Sequence, residues 1–188
     1  MTPFVQSVTY FLSLGTVACD ILAVVLIILL IAPARRSTHA AISRFIARYE
    51  IGLAFFIAAA SVGGSLFYSE FAHFAPCELC WIQRGLLYTQ AVIFFIAIVA
   101  RKENWVRKFR AFVRKAGILL SAIGIPIAAY HVYLQFGGSA LAPCSAIGPN
   151  CTYVYFVEFG YVTIPTMSLT AFVLILVLCL FSSKSTDR

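Results

Sequence analysis

The chain has 188 residues, of which 62% are hydrophobic, 15% aromatic and only 11% charged, and its net charge is +7. So apolar a composition excludes a water-soluble domain and reads as an all-α integral membrane protein. The positive balance is a topology signal and an attraction to anionic membrane lipid, and it gives no reason to expect nucleic acid as a partner.

The first apolar section, Val8 to Ala34, holds one charge, Asp20, and its positive residues follow it, at Arg35, Arg36, Arg44 and Arg48. A cleaved leader carries its positive charge ahead of a shorter apolar run, so residues 1–34 are expected to remain as an N-terminal transmembrane helix that enters with its N-terminus outside. An unpaired charge in mid-span costs about 3 kcal/mol. Asp20 is therefore expected to be neutral, paired or turned towards other helices, as a hydrogen-bonded residue of the bundle or, alternatively, part of a proton relay.

Four further sections lack any charge: Ile51 to Ser69, Gly85 to Ala100, Ala116 to Phe136 and Phe159 to Phe181. Each is near the about 20 residues that a helix needs to cross a bilayer. They define a helical region over residues 51–181, after a basic connector at 35–50 and before a tail at 182–188. A second basic connector runs from Arg101 to Lys115, and Lys184 and Arg188 lie in the tail. Of the fourteen basic residues, all but Arg84 fall in these connectors and the tail. Positive residues stay on the cytoplasmic side, so the C-terminus is expected inside, and Phe71 to Leu79 and Gly137 to Glu158 outside.

The first outer connector carries Pro76-Cys77-Glu78-Leu79-Cys80-Trp81-Ile82-Gln83-Arg84. Two cysteines at this spacing can close a small reversible disulfide, since nearby backbone stabilises one thiolate; a structural disulfide or half of a zinc site are the other readings. A helix beginning near Cys80 puts Arg84 one turn further along the same face. Its guanidinium can then sit beside the Cys80 sulfur and favour the thiolate. A cation inside the outer end of a helix is costly unless it snorkels or is paired, which makes Arg84 a functional candidate.

Before the second outer connector, the fourth span ends in Tyr130-His131-Val132-Tyr133-Leu134-Gln135-Phe136, where His131 and Gln135 project from one helix face. Such a histidine is commonly a hydrogen-bonded packing residue. At the depth of Cys80 and Arg84, however, the pair can also hydrogen-bond the carbonyl oxygens of a flat apolar ligand such as a membrane quinone. The connector itself holds Cys144 and Cys151, with Gly148, Pro149 and Asn150 as turn formers between them able to bring the sulfurs together. It reads as a second exchangeable disulfide, with a four-cysteine zinc site disfavoured by the long spacing. Aromatic residues suit the interface, and the run from Tyr153 to Val157 is expected along it. Cys19 and Cys179 lie within spans and read as apolar packing residues. No metal is expected.

Cys77-Glu78-Leu79-Cys80-Trp81-Ile82-Gln83-Arg84 resembles the C-x-L-C-x-x-[QE]-R signature of the DsbB disulfide bond formation proteins, and His131-Val132-Tyr133-Leu134-Gln135 resembles that family's H-x-x-L-Q. The short second cysteine loop, followed by Phe159 to Leu169, is similar to the BdbC branch. The resemblance covers roughly Glu50 to Phe181. It implies a four-helix transmembrane bundle of DsbB type, with the N-terminal helix as an addition and Asp20 unexplained. It also implies a bacterial cytoplasmic membrane enzyme that reoxidises an extracytoplasmic thioredoxin-fold, DsbA-like thiol oxidase and passes the electrons to ubiquinone or menaquinone.

By motif position, the resemblance implies that Cys80 contacts the quinone with Arg84 beside it and that Cys77 is the disulfide partner of Cys80. His131 and Gln135 would line the ring. Cys144 would form the mixed disulfide with the partner protein, and Cys151 would exchange with Cys77, a reach set by loop length. A vitamin K epoxide reductase-like protein also joins a helix bundle, a CxxC and a loop cysteine pair around a quinone. There the loop cysteines precede the CxxC, whereas here they follow it. A membrane scaffold with stapled outer loops is the non-enzymatic alternative.

Overall fold

A computed structural model describes residues 2–31, 37–100, 106–139 and 149–186, with side chains described for 2–31, 45–100, 108–139 and 149–183. Five α-helices account for most of it: α1 (Pro3–Ile31), α2 (Ser37–Leu66), α3 (Glu78–Val99), α4 (Val106–Gln135) and α5 (Ile164–Thr186), and a π-helical turn at Phe67–Phe71 continues α2. All five are long and apolar enough to cross a membrane, with spans Pro3–Ile31, Phe45–Phe71, Glu78–Val99, Lys108–Gln135 and Ile164–Ser183. Among the described residues the only β-pairing is an isolated bridge between Glu158 and Val162.

α2, α3, α4 and α5 close a four-membered bundle in which each helix touches its two neighbours, and α1 packs on the outside of α5. α5 thus meets α1, α2 and α4 at once, which is why an apolar sequence with no polar stripe suits it. Helices in lipid gain little from hydrophobicity against one another, so close approach of small residues and shape fit decide the packing. Ala54 and Ala58 of α2 are fully buried in the core with Phe94, Val113, Phe172 and Ile175. On α4, a Cβ at Gly124 would stand 2.5 Å from the Phe172 ring, and one at Gly117 would stand 2.9 Å from Phe94. These glycines let two large rings fill the bundle axis.

α2 and α4 begin earlier than the charge-free sections, at Ser37 and Val106. Near these helix ends a carboxylate of α2 is paired with guanidinium groups of α4. Arg114 donates from Nη2 to Glu50 Oε1 at 2.9 Å and from Nε to Oε2 at 3.2 Å, with Arg110 Nη2 3.9 Å from the same carboxylate. Glu50 is 1% exposed. A two-pronged guanidinium–carboxylate pair of this kind tolerates burial because each charge is met by hydrogen bonds as well as by its counter-charge.

Asp20 is turned towards α5 and the chain before it. It accepts hydrogen bonds from the Tyr161 hydroxyl at 2.8 Å and from Thr170 Oγ1 at 2.5 Å. The mid-span acid is thus a hydrogen-bonded residue of the bundle, and it keys α1 rotationally onto α5. Cys19 and Cys179 are free thiols packed among apolar side chains.

Candidate redox site at one end of the bundle

α3 starts at Glu78 because Pro76 holds the preceding chain extended and Cys77 takes the N-cap position, with φ −77° and ψ 175°. This puts Cys77 and Cys80 on the same face of the first turn, with their Sγ atoms 3.1 Å apart and both thiols free. Cys77 is buried and Cys80 half-buried.

His131 arrives from the last turns of α4. Its Nε2 stands 3.6 Å from Cys77 Sγ, and its Nδ1 stands 3.1 Å from Nε2 of Gln83. An amide nitrogen only donates, so in the tautomer that satisfies Gln83 it is Nδ1 that accepts and Nε2 that faces the Cys77 sulfur as donor. The hydrogen bond from Cys80, then burial in the opposite sense, then His131, together hold the Cys77 thiol well below the ordinary thiol range. The helix N-terminus acts in the same direction.

Arg84 is 8% exposed. Its Nε donates to Ser65 Oγ and its Nη2 to the Ser65 carbonyl, both at 2.6 Å, and its guanidinium lies 5.3 Å from the Trp81 ring centre. The intramembrane cation is therefore partnered by α2. The sequence placed it beside the Cys80 sulfur; in this state its donors are directed at Ser65, while it still lines the same cavity as Cys77, Cys80, His131 and Gln135.

Gln135 donates from Nε2 to the Tyr153 carbonyl at 3.1 Å, and its buried Oε1 has no partner among the described residues. The segments before α3 and before α5 close over the site through aromatic stacking. Phe74 lies face to face with Tyr155 at 4.2 Å and with Tyr68 at 5.8 Å, and the Tyr155 hydroxyl donates to the Ala75 carbonyl at 2.9 Å. The run from Tyr153 to Val157 is thus partly a cover for the CxxC, with Tyr153 and Val157 exposed at its edges. Cys151 is disulfide-bonded and 1% exposed, and it shares one buried cluster with Cys77 and Leu134, against which Cys80 and Tyr130 pack. Cys144 lies outside the described residues.

The site therefore gathers Cys77, Cys80, Arg84, His131, Gln135 and Cys151. The geometry adds three residues that the sequence reading had not assigned. Gln83 orients His131, Ser65 holds Arg84, and Tyr155 clamps the segment before Cys77. Gln83 fills the [QE] position of the C-x-L-C-x-x-[QE]-R motif and lies three residues after Cys80 on its face of α3, and these two signals pointed to it. Nothing in the local sequence marks Ser65 or Tyr155. Cys77, Cys80 and His131 also bring three ligand-type atoms within 4.8 Å of one another. The two sulfurs, 3.1 Å apart, are close enough to close a disulfide, which would leave neither as a thiolate ligand.

A CxxC at one end of a five-helix bundle of membrane-spanning length, with a disulfide-bonded cysteine packed beside it, fits a membrane thiol–disulfide oxidoreductase. The family described as disulfide bond formation protein DsbB matches residues 47–182. The chain belongs to that family. It is 33% identical over 135 residues to a probable disulfide formation protein of Oceanobacillus iheyensis, covering 68% of this chain and 84% of the relative. It is 36% identical over 123 residues to the SPbeta prophage-derived disulfide bond formation protein B of Bacillus subtilis, covering 65% and 78%. To disulfide bond formation protein C of Bacillus subtilis it is 35% identical over 127 residues, covering 66% and 86%. No solved structure matches the chain.

Proposed function

We propose that the protein reoxidises an extracytoplasmic thioredoxin-fold thiol oxidase of DsbA type and delivers the electron pair to membrane quinone. The observation that carries this reading is the position of Cys77, 3.1 Å from Cys80 on one side and in one buried cluster with Cys151 on the other. Both cysteine pairs face outside in this reading, with the N-terminus outside and the C-terminus in the cytoplasm. Residues 51–181 form the reductase region and residues 1–34 an added helix.

Electrons enter when a partner thiolate attacks Cys144 and breaks the Cys144–Cys151 bond, leaving a mixed disulfide. The second partner thiol resolves it, so the partner leaves oxidised and Cys144 and Cys151 are both reduced. The Cys151 thiolate then bonds to Cys77 Sγ and expels Cys80 as a thiolate, and Cys144 attacks Cys151 to free Cys77. The loop disulfide is restored and the CxxC holds the electron pair.

The residues around the CxxC suit a quinone. The cavity is bounded by apolar and aromatic walls and carries one guanidinium and one unpartnered amide oxygen, which match a ring that needs a donor for its developing anion and an acceptor for its reduced hydroxyl. Bound quinone supplies the sink, taking two electrons and two protons as the Cys77–Cys80 disulfide closes. Arg84 supplies positive charge near the Cys80 sulfur, His131 holds a proton at Nε2 beside Cys77, and the Phe74–Tyr155 stack keeps water from the dithiol.

Anaerobic titration of the fully reduced protein with quinone tests the reading. One quinol per disulfide formed is expected, and partner oxidation that proceeds without any quinol would overturn it.

A further inference from the structure

An apolar cavity of about 250 Å³ lies between α1, α2 and α5, next to the redox site. Phe11, Gly15 and Cys19 of α1 face Gly64 of α2 and Met167 and Leu174 of α5 across it. Ser65, Tyr68 and Ile164 line this cavity and the redox site alike, so the two are separated by single side chains. Ser65 is also the residue that holds Arg84.

We propose that α1, which precedes the family-matched residues 47–182, is the third wall of a slot that receives the isoprenoid chain of the quinone. The inference rests on the quinone reading. An apolar chain that leaves a ring held near Arg84 needs an apolar path, and the slot begins at the side chains that bound the ring site. None of the residues lining the slot is charged, so a phospholipid would find no ionic partner there for its headgroup. A quinone, uncharged along its whole length, needs none.

The rotation of α1 is fixed by contacts at three of its residues. Asp20 is held by Tyr161 and Thr170, Tyr10 packs on Phe159 at 5.6 Å between ring centres, and Phe4 packs on Phe67 at 6.1 Å. These contacts turn Gly15 into the slot. A Cβ at Gly15 meets no atom within 4 Å, so a larger side chain there enters open space and leaves the helix packing intact.

The test uses the full chain in lipid nanodiscs with saturating reduced partner and two acceptors, a long isoprenoid quinone and a quinone of the same ring without the chain. Gly15→Leu is expected to raise KM for the long quinone about tenfold while kcat and the KM for the tail-less quinone stay at wild-type values. Gly15→Ala should fall between. Unchanged turnover of the tail-less quinone reports that the variant is folded and inserted. Leu14→Phe, on the neighbouring lipid-exposed side, should match wild type with both acceptors. Equal effects of Gly15→Leu on both quinones, or none on either, would overturn the slot, as would a KM for the long quinone that rises with added phospholipid while Gly15→Leu leaves it unmoved. Failure of the wild-type protein to reduce either quinone would instead overturn the quinone reading itself.

Discussion

His131 of α4 directs Nε2 at the Cys77 sulfur from 3.6 Å, joining a helix end to the first turn of another helix 54 residues earlier in the chain. With Gln83 occupying Nδ1 at 3.1 Å, the imidazole is committed to the protein on both sides. The motif positions implied a histidine that lines a quinone ring. It lines the cavity that Cys80, Arg84 and Gln135 also line, its ring nitrogens meet Cys77 and Gln83, and Gln135 carries an open hydrogen-bonding oxygen.

The first prediction concerns pH. A thiol whose folded pKa is depressed contributes stability that is fully present above its unfolded value, about 8.5, and is lost as pH falls through the folded value. The reduced protein should accordingly keep a reactive Cys77 thiolate into acid, and the alkylation rate of Cys77 should level off well below pH 7. Removing a hydrogen bond to a charged group costs roughly 1.5–3 kcal/mol, so His131→Ala should move that profile up by about 1–2 pH units. Gln83→Leu should move it less. A wild-type profile centred near pH 8.5 would contradict the arrangement.

The second prediction separates the two cysteine pairs. Cys144→Ser should block transfer from the partner while the Cys77–Cys80 pair still reacts with quinone, and Cys80→Ser should do the opposite. Partner reoxidation by Cys144→Ser at the wild-type rate would show that electrons enter elsewhere.

The third concerns Arg84. Arg84→Met keeps much of the apolar stem and removes charge and donors, and loss of one charged donor to a developing anion costs on the order of 3 kcal/mol, or about a hundredfold in rate. Arg84→Lys should recover part of it, because charge returns without the planar fork that spans Ser65 Oγ and its carbonyl. Quinone reduction at matched membrane levels is the measurement. Wild-type turnover by Arg84→Met would make the arginine a helix tie to α2 and no more.

The fourth is structural and independent of chemistry. Glu50→Gln leaves Arg114 facing a neutral group at a buried position, a loss of roughly 3–5 kcal/mol if the pair is desolvated. The double variant Glu50→Met with Arg114→Met should regain most of it. Thermal unfolding in detergent, followed by helix signal, would read this as a large drop in Tm for the single variant and a small one for the double. Equal drops would mean that the pair is solvated.

Much of this molecule is legible in its sequence because lipid imposes simple rules. Four charge-free runs and a fifth section with the single charge Asp20 mark the five spans, and Cys77, Cys80 and Arg84 declare themselves by sitting where polar residues are scarce. The early starts of α2 and α4 were hidden, because Glu50 and Arg114 read singly as connector charges and only their pairing across 64 residues lets them enter the helices. Ser65 gives no local sign that it holds an arginine 19 residues later, nor does Asp20 name Tyr161 and Thr170 as its partners. Such long-range pairings depend on helix rotation, which apolar patterning constrains weakly when every face is apolar.

The electron pair held by Cys77 and Cys80 is expected to leave as quinol. Its most direct test is rapid mixing of the reduced protein with quinone under anaerobic conditions, with quinol and remaining free thiols counted in the same samples. The expected result is loss of the Cys77 and Cys80 thiols in step with quinol, one quinol for each disulfide closed, abolished in Cys80→Ser. Thiols that persist at wild-type abundance while quinone stays oxidised would contradict it.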